Sequence, residues 1–204
     1  MHVRLAASAL ALAALLAPAS AAAQQEGGPA PRGPSRWALL LGVEDSEGPA
    51  GLQLRADLEF PQRPLAPGVA FAVVGSLGYS RFHDEQTELF TGNQYEASSS
   101  VLRGSAAARL AFGRHPTLRP YVDAGLGLYY GWWNLEVREL VLGTWYTSRI
   151  DDSEVGLFMR LAAGATFQVN PSLALGAELG FTPYLGDQAN ETMTSALVSA
   201  TFRL

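Results

Sequence analysis

Cysteine is absent from this 204-residue chain. That excludes disulfides, thiolate metal sites, a cysteine nucleophile and lipidation at an N-terminal cysteine. Lysine is absent as well, all 14 basic residues being arginine, and no function follows from that choice. Long apolar runs are missing too. The run "LAASALALAALL", Leu5 to Leu16, is too short and wrongly flanked to span a bilayer as a helix, and no later stretch approaches the length needed. Any membrane association must therefore use strands or the surface. Nor is there an excess of positive charge: a net charge of −5 argues against a general nucleic-acid partner.

What is present begins with an export pattern. Arg4 supplies a positive start, the Leu5–Leu16 run an apolar middle, and "AAA" at Ala21 to Ala23 a small-residue cleavage site. Residues 1–23 read as a signal peptide cut before Gln24. Residues 24–35, "QQEGGPAPRGPS", read as a flexible Pro/Gly-rich linker with nothing to bury. Residues 36–204 remain as one domain, without a repeat of fixed period or a long helical pattern.

The stretch "GLQLRADLEF", Gly51 to Phe60, alternates throughout. Leu52, Leu54, Ala56, Leu58 and Phe60 share one parity; Gln53, Arg55, Asp57 and Glu59 share the other. A strand sends successive side chains to opposite faces, so one face is apolar and the other ionic. A soluble sheet turns the charges outward, whereas a membrane barrel turns them into its lumen.

Period-two reading yields eight strands, near 36–43, 51–60, 68–82, 99–112, 119–133, 154–169, 173–184 and 193–204. Short turns follow the second, fourth and sixth: "PQRPLAP", "GRHPTL" and "NPS". Long polar segments follow the third and fifth, from His83 to about Ser98 and from Asn134 to about Ser153. Short turns at one end and long loops at the other predict an all-β, eight-stranded, antiparallel up-and-down transmembrane barrel.

Aromatic residues support that orientation. Trp37, Phe60, Phe112, Phe167 and Phe202 lie on apolar rows near the short-turn end; Tyr79, Tyr130, Trp132 and Phe181 lie on apolar rows near the other. Two such belts match the girdles expected at membrane interfaces. The opposite rows are rich in Gly, Ala and Ser and carry charges of both signs: Arg55, Arg103, Arg109, Arg160 and Arg203 against Asp57, Glu59, Asp123, Glu154 and Glu178. Desolvating a lone ion costs several kcal/mol, so this balance predicts a paired ionic plug. Glu59, Glu154 and Arg203 fall near rims, within reach of water. Counting back from the "GRHPTL" turn sets Arg109 opposite Asp123, with Arg160 and Glu178 as a looser diagonal pair.

With "RPYVDAGLGLYYGWW" (Arg119 to Trp133) and the closing "SALVSATFRL", the chain resembles the small eight-stranded outer-membrane β-barrel family, the OmpA-type transmembrane domain and its OmpX-like and OmpW-like relatives. The resemblance covers about residues 35 to 204. It implies a bacterial outer-membrane location, contact with outer-membrane lipid and lipopolysaccharide, and a C-terminal strand read by the barrel-assembly machinery. The family's strand closes on an aromatic; here Phe202 stands two positions before the final Leu204.

Function has to be argued from sites. His83 opens the segment "FHDE", and the nearest nucleophile, Ser80, has inward parity, so no triad is marked and no enzyme is expected. The outer loops gather carboxylates, among them Glu44, Asp45, Glu47, Asp84, Glu85, Glu88, Glu96, Glu136, Asp151, Asp187 and Glu191, against Arg138 and Arg149. Such a cluster offers oxygen ligands for Ca²⁺ or Mg²⁺, but no spacing resembles a dedicated loop. It reads as a solvated acidic rim, and neither metal nor cofactor is expected. The segment 134–150, with Leu135, Val137, Leu140, Leu142, Trp145 and Tyr146, has two readings. Either the strands continue as a hairpin whose edges add to a surface partner, as OmpX-like relatives imply, or the hairpin folds over the barrel mouth; the sequence favours the fold-over. The expectation is a plugged barrel with a structural or surface-interaction, adhesion-like role. The alternatives are a narrow channel for small solutes, porin-like or OmpW-like, and a soluble periplasmic, lipocalin-like ligand binder.

Overall fold

The computed structural model describes residues 35–45, 50–87, 93–113, 117–141, 144–185 and 192–203. The expected signal peptide, the linker up to residue 34, and Glu47, Glu88, Arg114, His115, Leu142, Asp187, Glu191 and Leu204 lie outside the described residues.

Nine strands run in chain order: β1 (Arg36–Asp45), β2 (Gly51–Glu59), β3 (Arg63–Ala66), β4 (Val69–Thr87), β5 (Gln94–Phe112), β6 (Leu118–Val141), β7 (Thr144–Asn170), β8 (Leu173–Leu185) and β9 (Thr192–Arg203). Each long strand pairs antiparallel with its neighbours, β1 pairs with β9, and β2 pairs with β4, which closes an eight-stave barrel. The short β3 pairs only with the start of β4. The expected "PQRPLAP" turn thus contains a four-residue strand. Gly68 (φ 81°) takes the left-handed conformation that lets the chain reverse directly into β4.

Burial along β2 alternates without a break. Leu52, Leu54 and Leu58 are 67%, 52% and 44% exposed, while Arg55, Asp57 and Glu59 are buried. The same inversion runs around the ring: Leu39 and Leu41 on β1, Leu77 on β4, Leu126 on β6, Leu157 on β7, Leu179 on β8 and Val198 on β9 all face outward. A continuous apolar girdle of this kind belongs against hydrocarbon, because water-exposed surfaces of monomers do not carry apolar patches of such extent. It is also the reverse of a lipocalin-like pocket, whose apolar side chains line the interior. The nine residues of β2 and ten of β1 match the ~9–11 residues that a tilted transmembrane strand needs. Among the described residues no helix is long and apolar enough to cross a membrane.

Two strands exceed that length slightly, β8 with 13 residues and β9 with 12, and four exceed it by far. β4 and β5 have 19 residues each, β6 has 24 and β7 has 27. The described parts of the segments expected as long polar loops are therefore ladders: β4 pairs with β5 as far as Thr87↔Gln94, and β6 with β7 as far as Val141↔Thr144. Their alternation is masked in sequence by polar residues on both faces, which is what a strand in water on both sides carries. The 134–150 hairpin stands up rather than folding over the mouth. Trp145, Tyr146 and Ile150 remain 52%, 59% and 56% exposed.

Candidate functional site

The barrel fills its bore with two tiers of side chains. In the tier nearer the termini, Arg109 of β5 faces Asp123 of β6 in register and grips it with two parallel bonds, Nε to Oδ1 and Nη2 to Oδ2, both 2.8 Å. Its Nη1 donates to Glu59 at 3.0 Å, and its guanidinium lies 4.0 Å from the centre of the Tyr121 ring. The Tyr121 hydroxyl donates to Glu178 at 2.8 Å. Glu178 also accepts from Arg55 at 2.7 Å, and Arg55 in turn grips Asp57 through Nε at 2.9 Å. Arg160 donates to Asp123 at 2.9 Å, lies 3.6 Å from Glu178, and donates to Ser76. Arginine suits this duty because its planar fork serves several carboxylates at once. The network ties β2 to β5, β6, β7 and β8 across the bore.

Small residues make the tier possible. A Cβ on Gly164 would meet the Tyr121 ring at 2.7 Å, and one on Gly156 would meet the Tyr129 ring at 2.5 Å. Aromatic rings thus lie against glycine backbone, and the arginines occupy what remains. Beside Gln53, Arg103 and Arg160 the open volume shrinks to about 20 Å³, room for about one water.

The second tier centres on Arg103. It donates to Glu44 at 2.6 Å, to the Tyr184 hydroxyl at 3.1 Å and to Ser80 at 3.5 Å, and its Nη2 reaches the Met193 sulfur at 2.9 Å. Phe82, Val101, Tyr129, Phe158, Tyr184 and Met193 pack around it as a buried cluster. Glu44, read from sequence as part of an acidic outer loop, is instead fully buried. Ending the first strand at Val43 hid it; carried two residues further, the parity of Ala38 and Leu40 places Glu44 inside. Two of the charges placed near the rims by sequence lie there. Glu154 is half-buried and accepts from Tyr129 at 2.9 Å, while Arg203 is exposed at the rim.

On the outer wall Trp37 stacks on its cross-strand neighbour Phe202 at 4.5 Å. Trp132 lies 5.5 Å from Tyr130 and 6.1 Å from Tyr79. Phe112, Phe167 and Phe181 are exposed, and Phe60 is half-exposed just beyond β2.

Above the wall, β4 to β7 continue as a four-stranded sheet. β7 has no β8 partner among the described residues from Thr144 to Gly156, nor β4 a β2 partner beyond Arg81. That unpaired reach of β7 extends roughly 40 Å along the strand, at ~3.3 Å per residue. One face continues the luminal rows with Tyr95, Trp133, Leu135, Val137, Tyr146 and Ile150, four of which are cross-strand partners, Tyr95↔Val137 and Leu135↔Ile150. The other face is ionic: Glu136 pairs across to Arg149 and lies 2.7 Å from Arg138, and Arg149 lies 3.1 Å from Asp151. On that face His83, Glu85 and Glu96 bring ligand atoms within 4.8 Å of one another; all three are exposed, and His83 is engaged with Glu85 at 2.9 Å. His83 therefore faces away from the luminal Ser80, which is buried beside Arg103.

The fold has counterparts among solved structures. Neisserial surface protein A is 15% identical, with 83% of this chain and 95% of that one covered and a TM-score of 0.48. Ail, the attachment invasion locus protein of Yersinia pestis, is 15% identical, with 85% and 99% covered and a TM-score of 0.45. The outer membrane enzyme PagL is 15% identical, with 83% and 100% covered and a TM-score of 0.52. At such identity the likeness concerns the fold alone. No curated protein matches the sequence significantly. The family model described as the outer membrane protein beta-barrel domain matches residues 7–202, nearly the whole chain, and the chain belongs to that family.

Proposed function

We propose that this protein is a sealed bacterial outer-membrane barrel whose protruding β4–β7 sheet engages a partner at the cell surface, by strand addition to its free edge. The reading includes export by the N-terminal signal, assembly through the C-terminal strand by the barrel-assembly machinery, and an outer wall in contact with lipid and lipopolysaccharide. The observation that carries it is the edge of β7 from Thr144 to Gly156, which pairs with β6 and, among the described residues, with no strand on its other side. An exposed edge is normally shortened or covered, because its free N–H and C=O groups recruit other strands. Retaining one that far above an apolar girdle favours an edge used for binding, with the exposed Trp145, Tyr146 and Ile150 supplying side-chain pockets and contacts. The two luminal tiers favour a barrel that conducts nothing and acts as a rigid stalk.

The test compares cells displaying the full chain with cells displaying a chain in which residues 136–149 are replaced by an Asn-Gly turn, scored for attachment to protein-coated surfaces and to one another. Attachment falls at least fivefold on trimming while the barrel's heat-modifiable gel mobility is retained. Equal attachment by the two displays refutes the role.

A further inference from the structure

We propose that the periplasmic mouth of the barrel is a binding site for a small soluble phosphorylated anion, held by Arg36, Arg119 and Arg203. These residues line a recess of about 210 Å³, together with Gln62 and Gln168, whose floor is Arg109 and Tyr121. That volume is about seven times the ~30 Å³ share of one liquid water, enough for a diphosphate-sized group.

Among the described residues the charge at this end is unbalanced, unlike the rest of the bore. Arg55, Arg103, Arg109 and Arg160 each hold a carboxylate at 3.0 Å or closer. Among the described residues the one carboxylate lining the recess is Glu59. It is already shared by Arg109 at 3.0 Å, Gln62 at 2.8 Å and Arg36 at 3.5 Å. Among the described residues no carboxylate lies within 4.0 Å of Arg119 or Arg203. Arg36 and Arg203 are moreover direct cross-strand partners. Like charges placed opposite each other destabilise a sheet, and an oxyanion between them reverses the sign of that interaction. Guanidinium forks bind phosphoryl oxygens two at a time, and charges of one sign around a concave, low-dielectric recess focus the field on whatever enters.

Parity favours a soluble anion over a lipid headgroup. Arg36 shares a luminal row with the buried Ala38 and Leu40, Arg119 with the buried Tyr121 and Asp123, and Arg203 with the buried Ser199 and Leu197. The lipid-facing row carries their neighbours Trp37 and Phe202 instead, stacked on each other outside.

The test is isothermal titration of the folded full-length chain with pyrophosphate, in non-ionic detergent at low salt. Binding is expected, weakening at least tenfold when salt is raised from about 50 to 500 mM. R119Q and R203Q each weaken it at least threefold, and the double variant at least tenfold. R138Q, on the distal sheet, leaves it unchanged. Heat-modifiable gel mobility confirms that each variant is folded, and the single variants suffice should the double one fail. No binding by the wild-type chain, or loss in R138Q equal to that in R119Q, overturns the proposal. A last arm repeats the titration in nanodiscs: if phosphatidylglycerol abolishes pyrophosphate binding where phosphatidylcholine does not, the recess takes lipid headgroups and the soluble-ligand assignment fails.

Discussion

Arg103 of β5 and Glu44 of β1, 59 positions apart in the chain, meet at 2.6 Å inside the barrel, both buried. Their strands are not neighbours in the sheet, so this contact braces the bore across its width rather than along a ladder. Removing one member of a buried pair leaves the other charge without compensation, at a cost of about 3–5 kcal/mol. Glu44→Ala is expected to destabilise the barrel by that order in urea unfolding from micelles. Glu44→Gln, which keeps an acceptor for Arg103, is expected to cost less. An Ala variant as stable as wild type would remove this brace from the account.

The outer girdle makes an opposite demand. Leu77 sits mid-strand on β4, paired with Ala56 on one side and Gly104 on the other, and is 47% exposed. On a soluble protein an arginine there would be nearly neutral. Against hydrocarbon it costs about 2–4 kcal/mol near the midplane. Leu77→Arg is expected to lower folding stability in lipid vesicles by that order, whereas Glu85→Arg on the distal sheet leaves it unchanged.

Tyr121 lies against the backbone of Gly164 while its hydroxyl reaches Glu178. A Gly164→Val side chain has nowhere to go except through the ring or the Ala177 carbonyl, which its Cβ would meet at 2.6 Å. Overpacking of this kind costs about 1–3 kcal/mol. The displaced Tyr121 also releases Glu178 from one bond. Reduced stability together with a shifted Tyr121 fluorescence or NMR signal is the expected outcome.

The two tiers predict electrical silence. Wild-type protein in a planar bilayer is expected to show no resolvable openings, since an eight-stave interior is just wide enough for its side chains. The double variant Arg103→Ala/Phe158→Ala, which thins the second tier alone, is expected to stay silent, because the network of Arg55, Arg109 and Arg160 still spans the bore. Steady steps from wild type would favour the narrow-channel alternative.

Much of this was legible in the chain because a strand's period is two and its hydrogen bonds do not depend on side-chain identity. "GLQLRADLEF" encodes its two faces directly, and counting from a short turn sets Arg109 against Asp123, the partners that the ladder pairs. Legibility fails where the environment stops differing between faces. From His83 to Ser98 and from Asn134 to Ser153 both faces meet water, alternation fades, and strands read as loops. Glu44 was lost for the related reason that a charge at a strand end looks the same whether it faces solvent or the bore.

Sequence alone determined the fold class, the eight staves of the barrel and which row of each stave meets lipid, because these are local consequences of alternation and turn length; the four-residue β3 inside an expected turn escaped it. Only the tertiary structure decided which charges meet across the bore, that Glu44 belongs to Arg103, that Arg36 and Arg203 face each other across the ladder, and that β4 to β7 rise together above the wall. Those facts depend on barrel closure and on strand-to-strand register. Alternation and a short turn fix the faces and register of adjacent strands locally, but which side chains of non-adjacent strands meet across the bore follows only from closure of the whole ring.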